Sequence, residues 1–418
     1  MTTALELLTT RPDTPERSHR ELALQIDLSA PLTATKGWAA PEVGAVYARA
    51  RELCHQIGET TLLSRVLSGQ TVFHLLRGEL RTARELGEEV LSLSQHQQDP
   101  VTFLLAHLNL GATLYWRGEF ALAQSYLEQA TILFSKFQQP VVIFVADLRV
   151  ASLSYIAGSL WFLGYPDQAL KKLLEALTLA QELAHPFSLA YALQFAGWLH
   201  QFRREVQGAQ ERAEALIALC SEQGFPQWLA EGTIRRGWTL SEQGQIEEGL
   251  EQMQRGRATY EATGAGLSRP YYLASLAEVS DKAGQTGKGL TLLAEALAIV
   301  EQNGERMWEA EVYRLKGELS LQSEVRSPRS EVTNPQPLIP NPQTEAEACV
   351  HKAIEIAQRQ QAKSLELRVV MSLSRLWQQQ GKKKEAHTLL AEIYDWFTEG
   401  FDTKDLQEAK ALLEALAA

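Results

Sequence analysis

One stretch, Leu114–Ala130 (LYWRGEFALAQSYLEQA), restricts the possible folds more than any other, because the chain repeats its grammar. It reads as the end of one helix, a tight turn at Gly118 and the start of a second helix. Equivalent turn positions are Gly78, Gly118, Gly164, Arg204, Gly244, Gly284 and Gly381, spaced by 40, 46, 40, 40, 40 and 97 residues. The last interval holds two units and an insertion. Self-similarity at a fixed period of this size marks a solenoid, in which each unit packs only on its neighbours.

Two columns of small residues support the frame. Seven positions before each turn stand Thr71, Gly111, Ala157, Gly197, Gly237, Ala277 and Ser374; five positions after stand Ala83, Ala123, Ala169, Ala209, Gly249, Gly289 and Ala386. Small side chains at fixed offsets on either side of a turn let two helices approach closely, and Gly at the turn supplies backbone conformations that cost other residues energy. Eleven positions before the turn the residues are mostly apolar: Leu67, His107, Leu153, Leu193, Thr233, Leu273 and Val370. In a second helix, Ala169, Leu170, Leu173, Leu174, Leu177, Ala180 and Leu183 form one apolar stripe. This pattern resembles the tetratricopeptide repeat, usually about 34 residues long. The longer unit here implies longer helices. The fold class expected is all-α: a right-handed superhelical solenoid of antiparallel helix pairs, about 40 residues per unit, with a C-terminal capping helix.

Composition removes several function classes. The net charge of −11 disfavours nonspecific nucleic-acid binding, which needs clustered Lys and Arg. The basic pairs Lys171–Lys172, Arg203–Arg204 and Arg235–Arg236, and the run Lys382–Lys384, read as solvated helix faces. Cys54, Cys220 and Cys349 are isolated, form no CxxC pair and suit a reducing cytoplasm. No apolar run reaches the ~18 residues needed to span a bilayer, so no membrane partner is expected.

In chain order, residues 1–13 are expected to be a partial or disordered start, and residues 14–321 helical repeats. The first hairpin runs from Glu16 to Ile57 with its turn at Lys36–Pro41; helices near 59–77 and 79–97 follow. Pro100, Pro140, Pro186 and Pro226 open successive units, a role suited to a residue tolerated in a first helical turn. VVIFVADLRV, after Pro140, is rich in β-branched residues, yet its place in the frame predicts helix. Residues 322–343 contain five prolines and are expected to be an exposed loop inside one hairpin, with PLIP either a polyproline-type recognition element or a tolerated insertion. Repeats resume over residues 344–400. Residues 401–418 supply the capping helix, with Asp402 as N-cap, Asp405 in the first turn, and Leu406, Ala409, Leu413 and Leu416 on one face.

No catalytic motif emerges, and no cofactor or metal is expected. GQTGKG (Gly284–Gly289) departs from a phosphate loop, with Lys282 where Gly is needed and Gly289 where Ser or Thr would hold magnesium. There is no HExxH and no GxSxG; His107 and His200 read as packed side chains.

The stretches RPDTPERSHRELALQ (Arg11–Gln25), ATKGWAAPEVGAVYARARELC (Ala34–Cys54), LGYPDQALKK (Leu163–Lys172), HPFSLAYALQFAGWLHQFRRE (His185–Glu205) and the segment from Ala362 to Leu416 go beyond the generic repeat. They resemble the C-terminal tetratricopeptide-like region of bacterial STAND-type signalling ATPases, often fused to adenylate/guanylate cyclase or protein kinase domains. The resemblance implies a non-enzymatic scaffold or regulatory arm. The cyclase and ATPase portions would precede Met1, and no residue here carries their activity.

In the ordinary form of this repeat, first-helix positions face a concave groove. Those positions hold Tyr115, Trp161, Tyr191, Gln194, Trp198, Glu231, Trp238, Tyr271, Glu278 and Asp281. They either line a groove for a protein or peptide partner, such as an ATPase or cyclase component, or pack helix against helix. An open groove points to a protein scaffold; a deep, closed aromatic pocket points to the alternative, a small-molecule-sensing repeat domain controlling an associated ATPase or cyclase.

Overall fold

A computed structural model describes residues 14–97, 99–134, 142–143, 145–326 and 342–418, with residues 7, 8, 10 and 12. Within these residues the chain forms nineteen helices and one two-stranded ribbon. The early hairpins are α1 (Pro15–Lys36) with α2 (Pro41–Ile57), α3 (Thr61–Leu76) with α4 (Leu80–Gln97), and α5 (Pro100–Trp116) with α6 (Phe120–Thr131). The ribbon β1 (Val142–Ile143) and β2 (Ala146–Asp147) precedes α7 (Leu148–Phe162) and α8 (Pro166–Glu182). Next come α9 (Pro186–Phe202) with α10 (Val206–Gln223), α11 (Pro226–Glu242) with α12 (Ile246–Ala262), and α13 (Arg269–Lys282) with α14 (Thr286–Asn303). The array ends with α15 (Glu309–Arg326) and α16 (Pro342–Arg359), α17 (Lys363–Gln379) and α18 (Lys383–Tyr394), and the lone α19 (Lys404–Ala417). This is the right-handed solenoid of antiparallel helix pairs that the repeat predicts.

Each turn follows one backbone recipe. All seven anchors have positive φ, from 60° at Arg204 to 94° at Gly164. The residue after each anchor donates its N–H five residues back: Glu119 to the Leu114 carbonyl and Tyr165 to that of Leu160, each at 2.9 Å. This is the Schellman closure, which satisfies carbonyls that the helix end leaves orphaned. The small columns face each other across the hairpin. A Cβ on Gly249 would lie 2.5 Å from the Gly237 carbonyl oxygen, and the Ser374 hydroxyl donates to the Ala386 carbonyl at 3.2 Å.

From α5 to α13 the first helices are buried nearly all round and form the inside of the coil; second helices are amphipathic and form the outside. In α5 every residue from Leu104 to Trp116 is buried, whereas α8 buries Ala169, Leu173, Leu177 and Ala180. The expected stripe on α8 is narrower than predicted, because Leu174 is 49% exposed.

The coil also closes on itself. Carbonyls at the ends of successive first helices accept hydrogen bonds from chain about 165 to 205 residues further on. The Leu76 carbonyl accepts from the Gly266 and Leu267 amides at 2.8 and 3.1 Å, and that of Trp116 from Arg306 and Met307 at 3.0 and 3.1 Å. The Trp161 carbonyl accepts from the Ser364 hydroxyl at 2.5 Å, and the Phe202 carbonyl from the Arg368 guanidinium. One superhelical turn thus lies directly on the next.

Several local expectations change. Within VVIFVADLRV a ribbon forms, Val142 pairing Asp147 and Ile143 pairing Ala146, and α7 starts at Leu148. The six extra residues in this unit leave room for β-branched residues to follow their own preference, and the Asp147 carboxylate accepts from the Arg149 and Val150 amides to start α7. α15 continues to Arg326 and α16 starts at Pro342, both within the expected loop of residues 322–343; PLIP lies outside the described residues. Thr403, in place of Asp402, occupies the N-cap of α19, and Leu412 joins Leu406, Ala409 and Leu416 on its buried face. Pro100, Pro186 and Pro226 open helices as expected; Pro140 lies outside the described residues.

The two glycine roles separate experimentally. Gly244 has φ 90° and nothing within 4 Å of a built Cβ, so Gly244→Ala is expected to cost only the left-handed penalty, about 1 kcal/mol. Gly249→Ala meets the facing backbone and is expected to cost about 3 kcal/mol or more. Urea unfolding followed by circular dichroism compares them, and equal losses would contradict the helix-contact role of the column.

Candidate functional site

Closure of the coil decides where the ten expected groove residues go. Tyr115, Trp161 and Gln194 are packed in the core, at 0%, 2% and 0% exposure. Tyr191, Trp198 and Glu231 line a small apolar void of about 90 Å³ between the two coil turns. Trp238, Tyr271, Glu278 and Asp281 line a separate polar cavity of about 440 Å³ at the end of the coil. The concave face therefore does hold these side chains, but the next coil turn covers most of it. An extended open groove is absent from the described residues, and large aromatics fill the axis instead. Phe202 stacks on Trp308 at 5.0 Å between centroids, Trp308 meets Tyr271 edge-on at 5.2 Å, and Trp116 meets Trp198 at 5.6 Å.

The polar cavity is built on this aromatic floor. Its walls come from the C-terminal ends of α9, α11 and α13, from α15 and α17, and from the first turn of α19. Six cations (Arg204, Lys282, Arg314, Arg368, Arg375, Lys404) and seven acids (Glu242, Glu278, Asp281, Glu311, Glu318, Asp405, Glu408) surround it. Most are paired. Arg314 contacts Glu311 at 2.7 Å and Glu318 at 2.6 Å, and Arg368 contacts Asp405 at 2.7 Å while lying 5.1 Å over the Trp161 ring. Arg204 reaches Asp405 at 3.3 Å and Glu408 at 3.0 Å, and Arg375 reaches Glu408 at 3.2 Å. Lys282 pairs with Glu242 and with Glu278, the latter at 3.6 Å. Burial works to raise the Glu311 carboxyl, but the Arg314 and Arg368 guanidiniums outweigh it and hold it below the usual range.

Sequence reasoning missed most of these charges, because Arg314, Arg368, Glu311 and Asp405 come from helices far apart in the chain. One signal was available. Arg204 is the only non-glycine among the seven turn anchors, and it tolerates φ 60° while bridging to α19. His107 and His200 are packed, as expected: His107 stacks on Phe103 and bonds Gln129, and His200 bonds Glu205. Among the described residues no group of three or more His, Cys, Asp or Glu could hold a metal ion, and no helix is long and apolar enough to cross a membrane.

Two carboxylates sit in the closed interior without a full ion pair. Glu231, 3% exposed, accepts from Gln194 and from the Tyr272 hydroxyl at 2.9 Å, and burial pushes its pKa up to about 7 despite Tyr272, Arg235 and Gln227. Glu305, 2% exposed, accepts from the Ser268 amide at 2.9 Å, and burial pushes it up to about 8.

No protein-family model matches the chain. Over 170 residues, 41% of the chain, it is 22% identical to an uncharacterized protein of Rhizobium meliloti (strain 1021), of which the match spans only 16%. Among solved structures, a Rap protein complexed with Competence and Sporulation Factor superposes with a TM-score of 0.57 at 14% identity, covering 82% of this chain and 98% of that one. The Rap conjugation gene regulator of the plasmid pLS20, in complex with the Phr* peptide, superposes with a TM-score of 0.51 at 11% identity, covering 97% of each chain. At these identities the likeness is one of fold.

The raised carboxylates fix a pH dependence. Between about pH 4.5 and pH 7–8 these two groups bind more protons in the folded chain than in the unfolded one, so Glu231 and Glu305 make stability fall as pH rises through that window and level off above it. Glu305→Gln is expected to flatten the fall and to stabilise at pH 8 by on the order of 1–3 kcal/mol, with little effect at pH 5. Unfolding midpoints measured from pH 5 to pH 9 check this; an equal shift at both ends would contradict it.

Proposed function

We propose that this chain is a non-enzymatic regulatory repeat module that takes a short peptide, or a protruding segment of a protein partner, into the polar cavity at the end of its coil. The observation that carries the reading is the cavity itself: about 440 Å³, floored by Trp238, Tyr271 and Trp308 and ringed by both signs of charge. A peptide offers matching chemistry. Its backbone and termini supply donors, acceptors and opposite charges, and an apolar side chain covers the aromatic floor. Of the two Rap structures of similar fold, one was solved with the Phr* peptide and the other with Competence and Sporulation Factor, and the former supports a peptide as ligand class.

The closed axis argues against a long partner lying along the concave face. In this reading the regulated partner is an ATPase or cyclase component of a bacterial signalling system, the system implied by the sequence resemblance, and the module acts in the cytoplasm. The same closed interior favours a second reading in part, that small molecules are sensed within the coil.

A pooled library of synthetic hexapeptides passed over the immobilised chain tests the proposal. Retained peptides are expected to lose about tenfold in affinity with Glu278→Gln or Lys282→Met, rim residues whose replacement leaves the aromatic floor and the helical circular dichroism unchanged. No retained peptide, or retention indifferent to both variants, would sink the reading.

A further inference from the structure

The apolar void between the coil turns is separate from the polar cavity and has its own chemistry. Its walls include Leu76, Leu105, Ala112, Tyr155, Phe195 and Leu267. Three further lining side chains carry N–H groups with no hydrogen-bond partner: Asn109 through Nδ2, Trp198 through Nε1 and Trp228 through Nε1. They are 4%, 6% and 6% exposed. Buried donors are almost always satisfied, and leaving three unsatisfied around one void is costly. No Lys, Arg or His lines the void among the described residues, and Glu231 does, so an anion would find no countercharge there.

We propose that this void binds a small, uncharged, mainly apolar molecule bearing a carbonyl acceptor, and that its occupancy holds the two coil turns together. A carbonyl oxygen has two lone pairs, so it answers two of the three donors, the Trp198 and Trp228 indoles, and the apolar remainder fills the leucine and aromatic walls. An apolar cavity of about 150 Å³ takes benzene, so a void of about 90 Å³ suits a ketone, amide or ester of about four or five heavy atoms. The second part follows from position. Leu76 and Leu267 both line the void, and the Leu76 carbonyl accepts the Gly266 and Leu267 amides that close the seam. A molecule that fits only the closed arrangement stabilises it by mass action.

Butanone and its isostere 2-methyl-1-butene, in which a methylene replaces the carbonyl oxygen, are the probes. The nine tryptophan indoles are observed by nitrogen-15 NMR, with Trp198 and Trp228 assigned through Trp→Phe variants. Butanone is expected to move both indole protons downfield saturably, with half-saturation at roughly 1 mM or below. The alkene should bind without that shift. Ala112→Leu, or Ala151→Leu should the first variant fail to fold, fills the void and should abolish both responses. Exchange of the Gly266 and Leu267 amides should slow at least tenfold in saturating butanone. The absence of any saturable shift, meaning water only, overturns the site. So does an equal response to the alkene or a response that survives in the filled variants. Unchanged exchange of the two seam amides with butanone bound overturns the link to coil closure.

Discussion

The architecture turns on a leftover of helix geometry. A Schellman turn satisfies carbonyls one turn back from a helix end, but the terminal carbonyl still points along the axis with nothing to accept. Here the terminal carbonyls of Leu76, Trp116 and Phe202 are answered by the chain one superhelical turn later, and the Trp161 carbonyl, already bonded to the Gly164 amide, accepts a further bond from Ser364. These bonds are few, and each is modest in net worth, but an unanswered buried carbonyl is expensive. Once the second coil turn sits on the first, the concave face can no longer be a surface. Its aromatics become a core, in which the polar cavity and the small void lie.

The glycines report the same closure. At Gly37, Gly118 and Gly164, in the first coil turn, a Cβ would press on Gln227, Gln360 and Trp396 of the overlying chain. At Gly244, Gly284 and Gly381 a Cβ would meet nothing within 4 Å among the described residues. Only the backbone conformation asks for glycine at the second set, whereas the first set must also stay out of the way. Arg204 lies where α19 replaces a further hairpin, and there a long side chain that reaches Asp405 and Glu408 is useful.

Much of this was legible in the chain, and the reason is locality. Turn positions, small columns and helix-opening prolines encode contacts within one hairpin, a few residues to either side of Gly118 or Gly244. The inward-facing residues were also legible: all ten expected groove residues sit on first helices, and seven of them line one of the two cavities. What surrounds them was not. The contact between Leu76 and Gly266 depends on a small rotation accumulated over several units, which no single unit spells out. Asn109 and Trp228, with their unpartnered N–H groups, look like ordinary helix residues until the fold brings them to one void. At residues 142–147 a local preference overrode the frame, because that unit has length to spare.

At Leu76 and Trp116 the seam spans about 190 residues, which is not a whole number of 40-residue units, so these contacts join unlike parts of the repeat: a helix end below, a connecting loop above. Loss or gain of one unit would slide every later loop past its carbonyl by a full hairpin. Length in this array is consequently not freely adjustable, as it is in an open solenoid. The chain behaves as a spring wound shut, whose coils can be parted but not recounted.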